Sequence, residues 1–344
     1  MDETSEQFQP IYGILERLNG QRPRSLRLRA KPMRGGLEAS VLLRVSADYE
    51  DGRGRRRIFT VVVKRLEGPI AREAAIYQRL VAAHARQIAP RLLAVDDQLD
   101  NRSVMYLEWV RPANNWPWRN VTAAEKLLRR LARFHLATAA ADAAGSLPWW
   151  DYETELKRSS EMTVDLLARC RRDTEFAPLA RHLEPTRRIT LALPAMRREL
   201  LAFSPLGNVA IHGDVHPGNV LVRRRGGAEE PILIDWGRAR AGSPLEDLSG
   251  WLQSLGYWEP QARRRHDTLL ADYLSARGME RRLSSDLRAA YWLAGASNAL
   301  SGALRYHLSF LVGGTPVVPS RRLAAAHSAR DWLRIVKRAA AVWR

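Results

Sequence analysis

Residues 211–237 read IHGDVHPGNVLVRRRGGAEEPILIDWG. Two apolar runs, 220–222 and 231–234, flank Gly226-Gly227, a pair that takes positive φ at little cost, so the pattern predicts a β-hairpin. A hairpin brings its two ends together. Asn219 enters the first strand and Asp235 leaves the second, so an amide oxygen and a carboxylate are expected on one side of a small cavity. Such a pair suits Mg²⁺, a hard ion that takes oxygen ligands and shares its remaining positions with water and substrate phosphates. Asp214, five residues before Asn219 on a tight loop bearing Gly and Pro, adds a further carboxylate close to the metal, in a position to act as base.

The run HGDVHPGNVLV followed by LIDWG resembles the catalytic loop and metal-binding segment of the aminoglycoside phosphotransferase and choline kinase family, small-molecule relatives of the protein kinases. The two-part signature is long and ordered, which sets it apart from a lone short motif. The resemblance implies an α+β, bilobal protein-kinase-like fold: an N-terminal antiparallel β-sheet lobe with one main helix, and a larger, mostly helical C-terminal lobe. It divides the chain into a nucleotide-binding part, 1–110, ending in a hinge, and a helical part, 111–344, with the catalytic loop, metal site and acceptor site. Asp214 corresponds to the residue that orients or deprotonates the acceptor hydroxyl, and Asn219 and Asp235 to the magnesium ligands. His212 and His216 are supporting residues of the loop. Asp247 stands where the family has an acid that braces the catalytic loop, with His216 as its expected partner. Gly237 departs from the family, in which many members carry an acidic or small residue there.

Working back toward the N-terminus, Ile11, Ile14 and Leu18 stand at helical spacing, and SLRLRAK alternates as a strand. Gly35-Gly36 precede a β-rich run and fit a strand-turn-strand whose N–H groups approach phosphates, although the full GxGxxG spacing is missing. The apolar strand 58–63 ends in Lys64, and a helix beginning near Pro69 carries Glu73. Either residue alone is an ordinary strand-end or helix charge. In the order glycine hairpin, strand lysine, helix glutamate they match the nucleotide lobe of kinase-like enzymes, which implies that Lys64 holds the α- and β-phosphates and Glu73 holds Lys64. Two further strands, 90–95 and 103–107, complete a five-stranded antiparallel sheet. In related kinases the next segment is the hinge, which makes the Glu108 C=O and the Val110 N–H the contacts to the base of ATP or GTP.

Beyond 113 the pattern is helical, with Leu127, Leu128, Leu131 and Phe134 on one face. His135 is either near the acceptor site, as the resemblance suggests, or a satisfied helix-end histidine. Helices over 153–172 and 185–203 fill the part of the family that varies most, the expected acceptor-binding insert. Ser243 is a candidate N-cap, and the uncharged stretch 289–304, bounded by Arg288 and Arg305 and containing Ser, Asn and Gly, reads as a buried helix rather than a membrane span.

With 344 residues, 46% hydrophobic and 27% charged, the chain can build a large core or two. The acidic, polar N-terminus MDETSEQFQP lacks the basic-then-apolar pattern of a secretory leader, and Cys170 is the single cysteine, so a reducing cytoplasm is expected. A net charge of +18 taken alone suggests a polyanion such as nucleic acid. Only five of the 55 basic residues are lysines, however, and the arginines are scattered, which points to a GC-rich coding bias and away from a nucleic-acid surface. Two other readings compete with a kinase. His212, Asp214 and His216 could ligate zinc or iron, but that leaves Lys64, Glu73, Asn219 and Asp235 without a reason. A pseudokinase is expected to lose the base, the metal ligands or the lysine, and all are present. The expectation is a magnesium-dependent transfer of the γ-phosphate of ATP or GTP to a hydroxyl of a small molecule, by a monomer or homodimer with no membrane partner. The acceptor expected first is an aminoglycoside-type antibiotic, held by acids in 142–161 with Glu246, Asp247 and Glu259. Choline, ethanolamine, a sugar or another alcohol is the alternative, for which an aromatic cage from Trp116, Trp118, Trp149, Trp150, Trp236, Trp251, Trp258 or Trp292 would serve.

Overall fold

The computed structural model describes residues 8–33, 39–98, 101–112, 121–202, 206–258, 265–314 and 318–343. Gly35, Gly36, Trp116, Trp118 and Glu259 lie outside the described residues. The chain forms two compact units that do not follow a single cut in the sequence: Met1–Asn114 with Ser146–Pro148 and Leu221–Arg238, and Asn115–Gly145 with Trp149–Val220 and Ala239–Arg344.

The first unit is built on five antiparallel strands: β1 (Ser25–Pro32), β2 (Val41–Glu50), β3 (Arg56–Glu67), β4 (Leu92–Gln98) and β5 (Arg102–Glu108). Their order is β1-β2-β3-β5-β4, so β1 and β4 are the edges. Strand alternation sorts the side chains. Val45, Ala47, Tyr49, Val61, Val63, Val104 and Tyr106 face one core, which helix α1 (Gln9–Asn19) covers with Ile11, Ile14 and Leu15. Leu18, expected on that face, is instead exposed, because an i, i+3, i+4 stripe starting at Ile11 ends on Leu15. After β3 a 3₁₀ turn (Gly68–Ala71) leads into helix α2 (Arg72–Ile76), which continues in π-helical turns through Tyr77–Ala85. The hairpin is present as β7 (Val220–Arg225) and β8 (Ala228–Leu233), joined by Gly226 at φ 56° and Gly227 at φ 79°. Two successive positive φ angles are what a two-residue hairpin turn of the right twist requires. Its register to the rest of the unit is set by Leu233 N–H donating to Ile88 C=O at 2.6 Å.

The second unit is mostly helical: α3 (Val121–Ala140), α4 (Tyr152–Arg169), α5 (Leu183–Ala202), α6 (Pro244–Trp258), α7 (His266–Ala276), α8 (Ser285–Asn298), α9 (Leu304–Val312) and α10 (Pro319–Val342). Leu127, Leu128, Leu131 and Phe134 are buried along α3 as the spacing predicts. A large apolar core joins α4, α5, α8, α9 and α10 through Leu156, Leu167, Leu193, Leu293, Leu308 and Leu333. The stretch read as one buried helix is two, α8 and α9, with a π-helical turn (Ala299–Ala303) between them. No helix among the described residues is long and apolar enough to cross a membrane. A short antiparallel pair, β6 (Val209–Ile211) and β9 (Arg240–Gly242), places Arg240 opposite Ile211 at the entrance of the HGD loop. The sheet-rich N-terminal part and the larger helical part give the α+β composition expected.

Candidate active site

In the first unit three charged residues far apart in sequence meet. Alternation turns Lys64 away from the core face that Val61 and Val63 occupy, and its ammonium lies 2.6 Å from Glu73 Oε2 and 2.7 Å from Asp235 Oδ1. Glu73, the second residue of α2, is wholly buried, and its other oxygen accepts the Trp236 N–H at 3.2 Å. Burial pulls the Lys64 pKa down, but the two carboxylates outweigh it and hold the ammonium above the ordinary lysine value. Burial also raises the Glu73 carboxyl, against the pull of Lys64. Asp235 sits at φ 65°, a conformation uncommon for a residue with a Cβ and therefore held by its surroundings. Arg72 contributes by donating to the Gly237 C=O and the Pro148 C=O, each at 2.8 Å. Gly237 is explained here: a Cβ at this position would collide with Ile70 Cδ1. At the end of β5 the Glu108 carboxylate pairs with Arg223 at 3.3 Å and accepts the Arg91 N–H at 3.2 Å, Arg44 stacks over Trp109 at 5.3 Å, and the Val110 side chain is buried.

In the second unit the loop 212–219 is fixed atom by atom. Asp247, one turn into α6, is buried and accepts the His212 N–H at 2.9 Å and the Gly213 N–H at 2.8 Å. Behind it His135 Nε2 lies 3.1 Å from Asp247 Oδ2, and His135 Nδ1 lies 2.8 Å from the Tyr273 hydroxyl. Burial holds His135 below its ordinary value, against Asp247, so the ring is neutral and donates one N–H to the carboxylate. Burial alone would raise the Asp247 carboxyl; the His135 bond and the Gly213 N–H outweigh it and keep Asp247 ionised. Of the two roles open for His135, the satisfied buried histidine is the one found. The partner of Asp247 is thus His135 rather than His216. His216 instead takes the Gly218 N–H on Nδ1 at 3.0 Å, with Nε2 3.7 Å from Asp214.

Asp214 keeps a side chain 38% exposed, open enough to meet a substrate. Asn219 donates its amide N–H groups to the Asp214 C=O and Oδ2, both at 3.0 Å, which leaves an amide oxygen as the group it can offer a cation. Asp235 offers a carboxylate. Each by its own chemistry is a hard oxygen donor of the kind Mg²⁺ takes. The zinc or iron alternative fares worse: Nδ1 of His212 accepts the Asp214 N–H at 3.2 Å and Nδ1 of His216 accepts that of Gly218, so each imidazole is used in shaping the loop. Among the described residues no group of three or more His, Cys, Asp or Glu side chains is arranged to hold a metal.

Two expectations about the acceptor are corrected. Glu246, read as an acid available to a cationic acceptor, is buried, with Oε1 shared by Arg197 at 2.5 Å and Arg240 at 3.1 Å. Burial would raise its carboxyl, but the two guanidinium groups outweigh it and lower it. Asp247 is equally buried and spoken for by the loop. Among the described residues the tryptophans named for a cage are dispersed: Trp236 and Trp251 are buried core residues, Trp149 is 83% exposed, and Trp292 stacks on His266 beneath Arg338. Sequence reading missed Arg72, Arg197 and Arg240 altogether, since an arginine among 55 basic residues carries no local signal. The burial of Glu246 did have one. Ser243 and Glu246 form a capping box, with Ser243 Oγ accepting the Leu245 N–H and Glu246 Oε2 the Ser243 N–H, both at 3.3 Å.

The sequence model of the phosphotransferase enzyme family matches residues 29–286, a span that holds every site residue named above. The chain belongs to this family. It is a small-molecule kinase. Solved structures carry the same fold at low identity. Spectinomycin phosphotransferase in complex with ADP and spectinomycin aligns with a TM-score of 0.56 at 14% identity, over 96% of this chain and 97% of that one. Choline kinase from Cryptosporidium parvum Iowa II aligns with a TM-score of 0.57 at 10% identity, over 90% and 89%. A choline/ethanolamine kinase family protein from Mesorhizobium loti gives 0.54 at 17%, over 91% and 92%. No curated protein sequence matches the phosphotransferase.

Proposed function

We propose that the chain transfers the γ-phosphoryl group of ATP or GTP to a hydroxyl of a small, positively charged acceptor of the aminoglycoside type. The observation that carries the phosphoryl reading is the Lys64 ammonium held between Glu73 and Asp235, 9 and 171 residues away in the chain. A lysine fixed by a buried glutamate is a preorganised cation for phosphate oxygens, and preorganised charge is what phosphoryl transfer chiefly needs. In this reading Asn219 and Asp235 are the residues that would hold Mg²⁺, which would supply neutralisation of phosphate charge. Asp214 accepts the proton of the acceptor hydroxyl. The acceptor oxygen bonds to the γ-phosphorus as the bond to the β-phosphate bridging oxygen breaks, and the nucleoside diphosphate leaves. The Glu108 C=O and the Val110 N–H are the contacts that the base would take.

The acceptor reading rests on charge. On a chain of net +18, helix α4 and its N-cap present Asp151, Glu153, Glu161 and Asp165 to solvent beside Lys157, Arg158 and Arg169, a local acidity above that of the chain as a whole, which favours a cation there. Spectinomycin phosphotransferase, which shares the fold, is a precedent for such an acceptor. The test is release of nucleoside diphosphate from Mg-ATP and Mg-GTP over a panel of aminoglycosides, macrolides, choline-like alcohols and sugars, with Asp214→Ala as blank. Acceptor-dependent release with aminoglycosides that the mutant lacks is the expected result. Release with choline-like alcohols alone overturns the acceptor, and undiminished release by Asp214→Ala overturns the mechanism.

A further inference from the structure

The peptide that joins Gly213 to Asp214 is gripped at both ends. Its N–H, on Asp214, donates to His212 Nδ1 at 3.2 Å, and its C=O, on Gly213, accepts from Arg240 Nη1 at 3.3 Å. A peptide unit is planar, so fixing its oxygen and its hydrogen fixes the direction in which the Asp214 Cα leaves it. Gly213 itself stands at φ 81°. Arg240 is delivered to this spot by β9, whose pairing with β6 sets it opposite Ile211.

Arg240 is in turn one end of a buried chain. Its Nη2 donates to Glu246 Oε1, the same oxygen that takes Arg197 Nη1, and Arg197 Nε donates to Glu153 Oε1 at 2.9 Å. The ring of Tyr152 lies against both guanidinium groups, 4.6 Å from Arg197 and 3.9 Å from Arg240. Arg197 and Arg240 are 4% and 5% exposed, whereas the Glu153 side chain is 58% exposed. A planar guanidinium with two acceptors in fixed directions transmits orientation in a way that a lysine ammonium does not. The chain therefore runs from a solvent-facing acid on α4, through α5 and α6, to the peptide ahead of Asp214.

We infer that Arg240 is a positioning residue for Asp214, and that Tyr152, Glu246, Arg197 and Glu153 link the setting of that peptide to the α4–α5 insert. The inference rests on the reading of Asp214 as the proton acceptor. A cationic acceptor that engages Glu153 on α4 thereby acts on the same network that aims the base.

The experiment compares the full chain with its Arg240→Met, Arg240→Lys and Glu153→Gln variants by two measurements. The first is amide hydrogen exchange of peptides spanning 209–219, which needs no turnover. Arg240→Met is expected to speed exchange there while peptides from β3 and α2 are unchanged, and Arg240→Lys, which reaches one acceptor but not both, is expected to fall between. The second is steady-state ADP release with Mg-ATP and the best acceptor of the panel. A misplaced base predicts a fall in kcat of about a hundredfold with the KM for Mg-ATP within about twofold, partly restored in Arg240→Lys. Glu153→Gln is expected to weaken the dependence of loop exchange on added acceptor. Unchanged exchange over 209–219 in a folded Arg240→Met overturns the inference, as does a loss of activity that tracks the folded fraction alone. If the methionine variant does not fold, Arg240→Lys carries the same two readouts. Inactivity of the unmutated chain across the panel counts against the assignment of Asp214, and the exchange result still decides whether Arg240 sets the loop.

Discussion

Asp247→Asn is the sharpest probe of how the catalytic loop is held, because the side chain keeps its shape and loses one acceptor. In the native protein Oδ2 takes the His212 N–H and faces His135 Nε2, while Oδ1 takes the Gly213 N–H. An asparagine serves best with its oxygen at the Oδ2 position, which turns its NH₂ toward the Gly213 N–H, donor against donor. The variant then loses a charge-assisted hydrogen bond and leaves a partly buried N–H facing a donor, a cost of about 1.5–3 kcal/mol. The opposite flip gives up two contacts to save one and is no cheaper. Urea unfolding monitored by tryptophan fluorescence reads this as a lower midpoint at unchanged slope. His135→Phe in the Asp247→Asn background is expected to add less than it does alone, since the two share one bond. A loss below about 1 kcal/mol, or full additivity of the pair, would refute the claim that Asp247 is the anchor of residues 212–213.

Gly237→Ala is expected to destabilise the first unit by about 1–3 kcal/mol through overpacking against Ile70, and Ile70→Val, which deletes the clashing Cδ1, is expected to recover part of it. Strict additivity in thermal unfolding of the double variant would sink that account. Burial pushes His307 down from 6.5 to about 4, so between those values the unfolded chain binds a proton that the folded chain refuses. The stability His307 allows at neutral pH is therefore lost as pH falls below 6.5, by up to about 2 kcal/mol at pH 5. His307→Leu should show a smaller drop in urea midpoint between pH 7.5 and 5 than the unmutated chain; an equal drop would mean that other groups set the acid limit.

Legibility in the sequence divides along a physical line. The hairpin at 220–233, the alternating strands and the α3 leucines were legible because each depends on a local period and on turn chemistry. Lys64, Glu73 and Asp235 were legible through their order along the chain, which the family resemblance supplied. Leu18 was misplaced because two registers of one short helix fit the same three apolar residues, and only the sheet decides between them. The sequence reading misses the partner of Asp247 because the choice between His216, 31 residues away by numbering, and His135, 112 residues away, is made by the tertiary fold, which brings His135 on α3 to Asp247 on α6. Glu246 shows the same limit from the other side. A carboxylate beside Asp247 reads as surface charge until the guanidinium groups of Arg197 and Arg240 are brought to it by α5 and β9.

Strand β1 gives the abundance of arginine a use of its own. It is a sheet edge, and an edge strand offers its unpaired N–H and C=O groups to any other extended chain. Here Arg27, Arg29 and Lys31 are exposed along it and Pro32 closes it. Another copy approaching strand to strand would have to set like charges side by side and meet a residue with no N–H to give. The side chains that make the protein so basic thus act, at this margin, as a guard against fibrillar growth, and the cost of replacing them with threonine would appear in solubility at high concentration before it appeared in folding or in turnover.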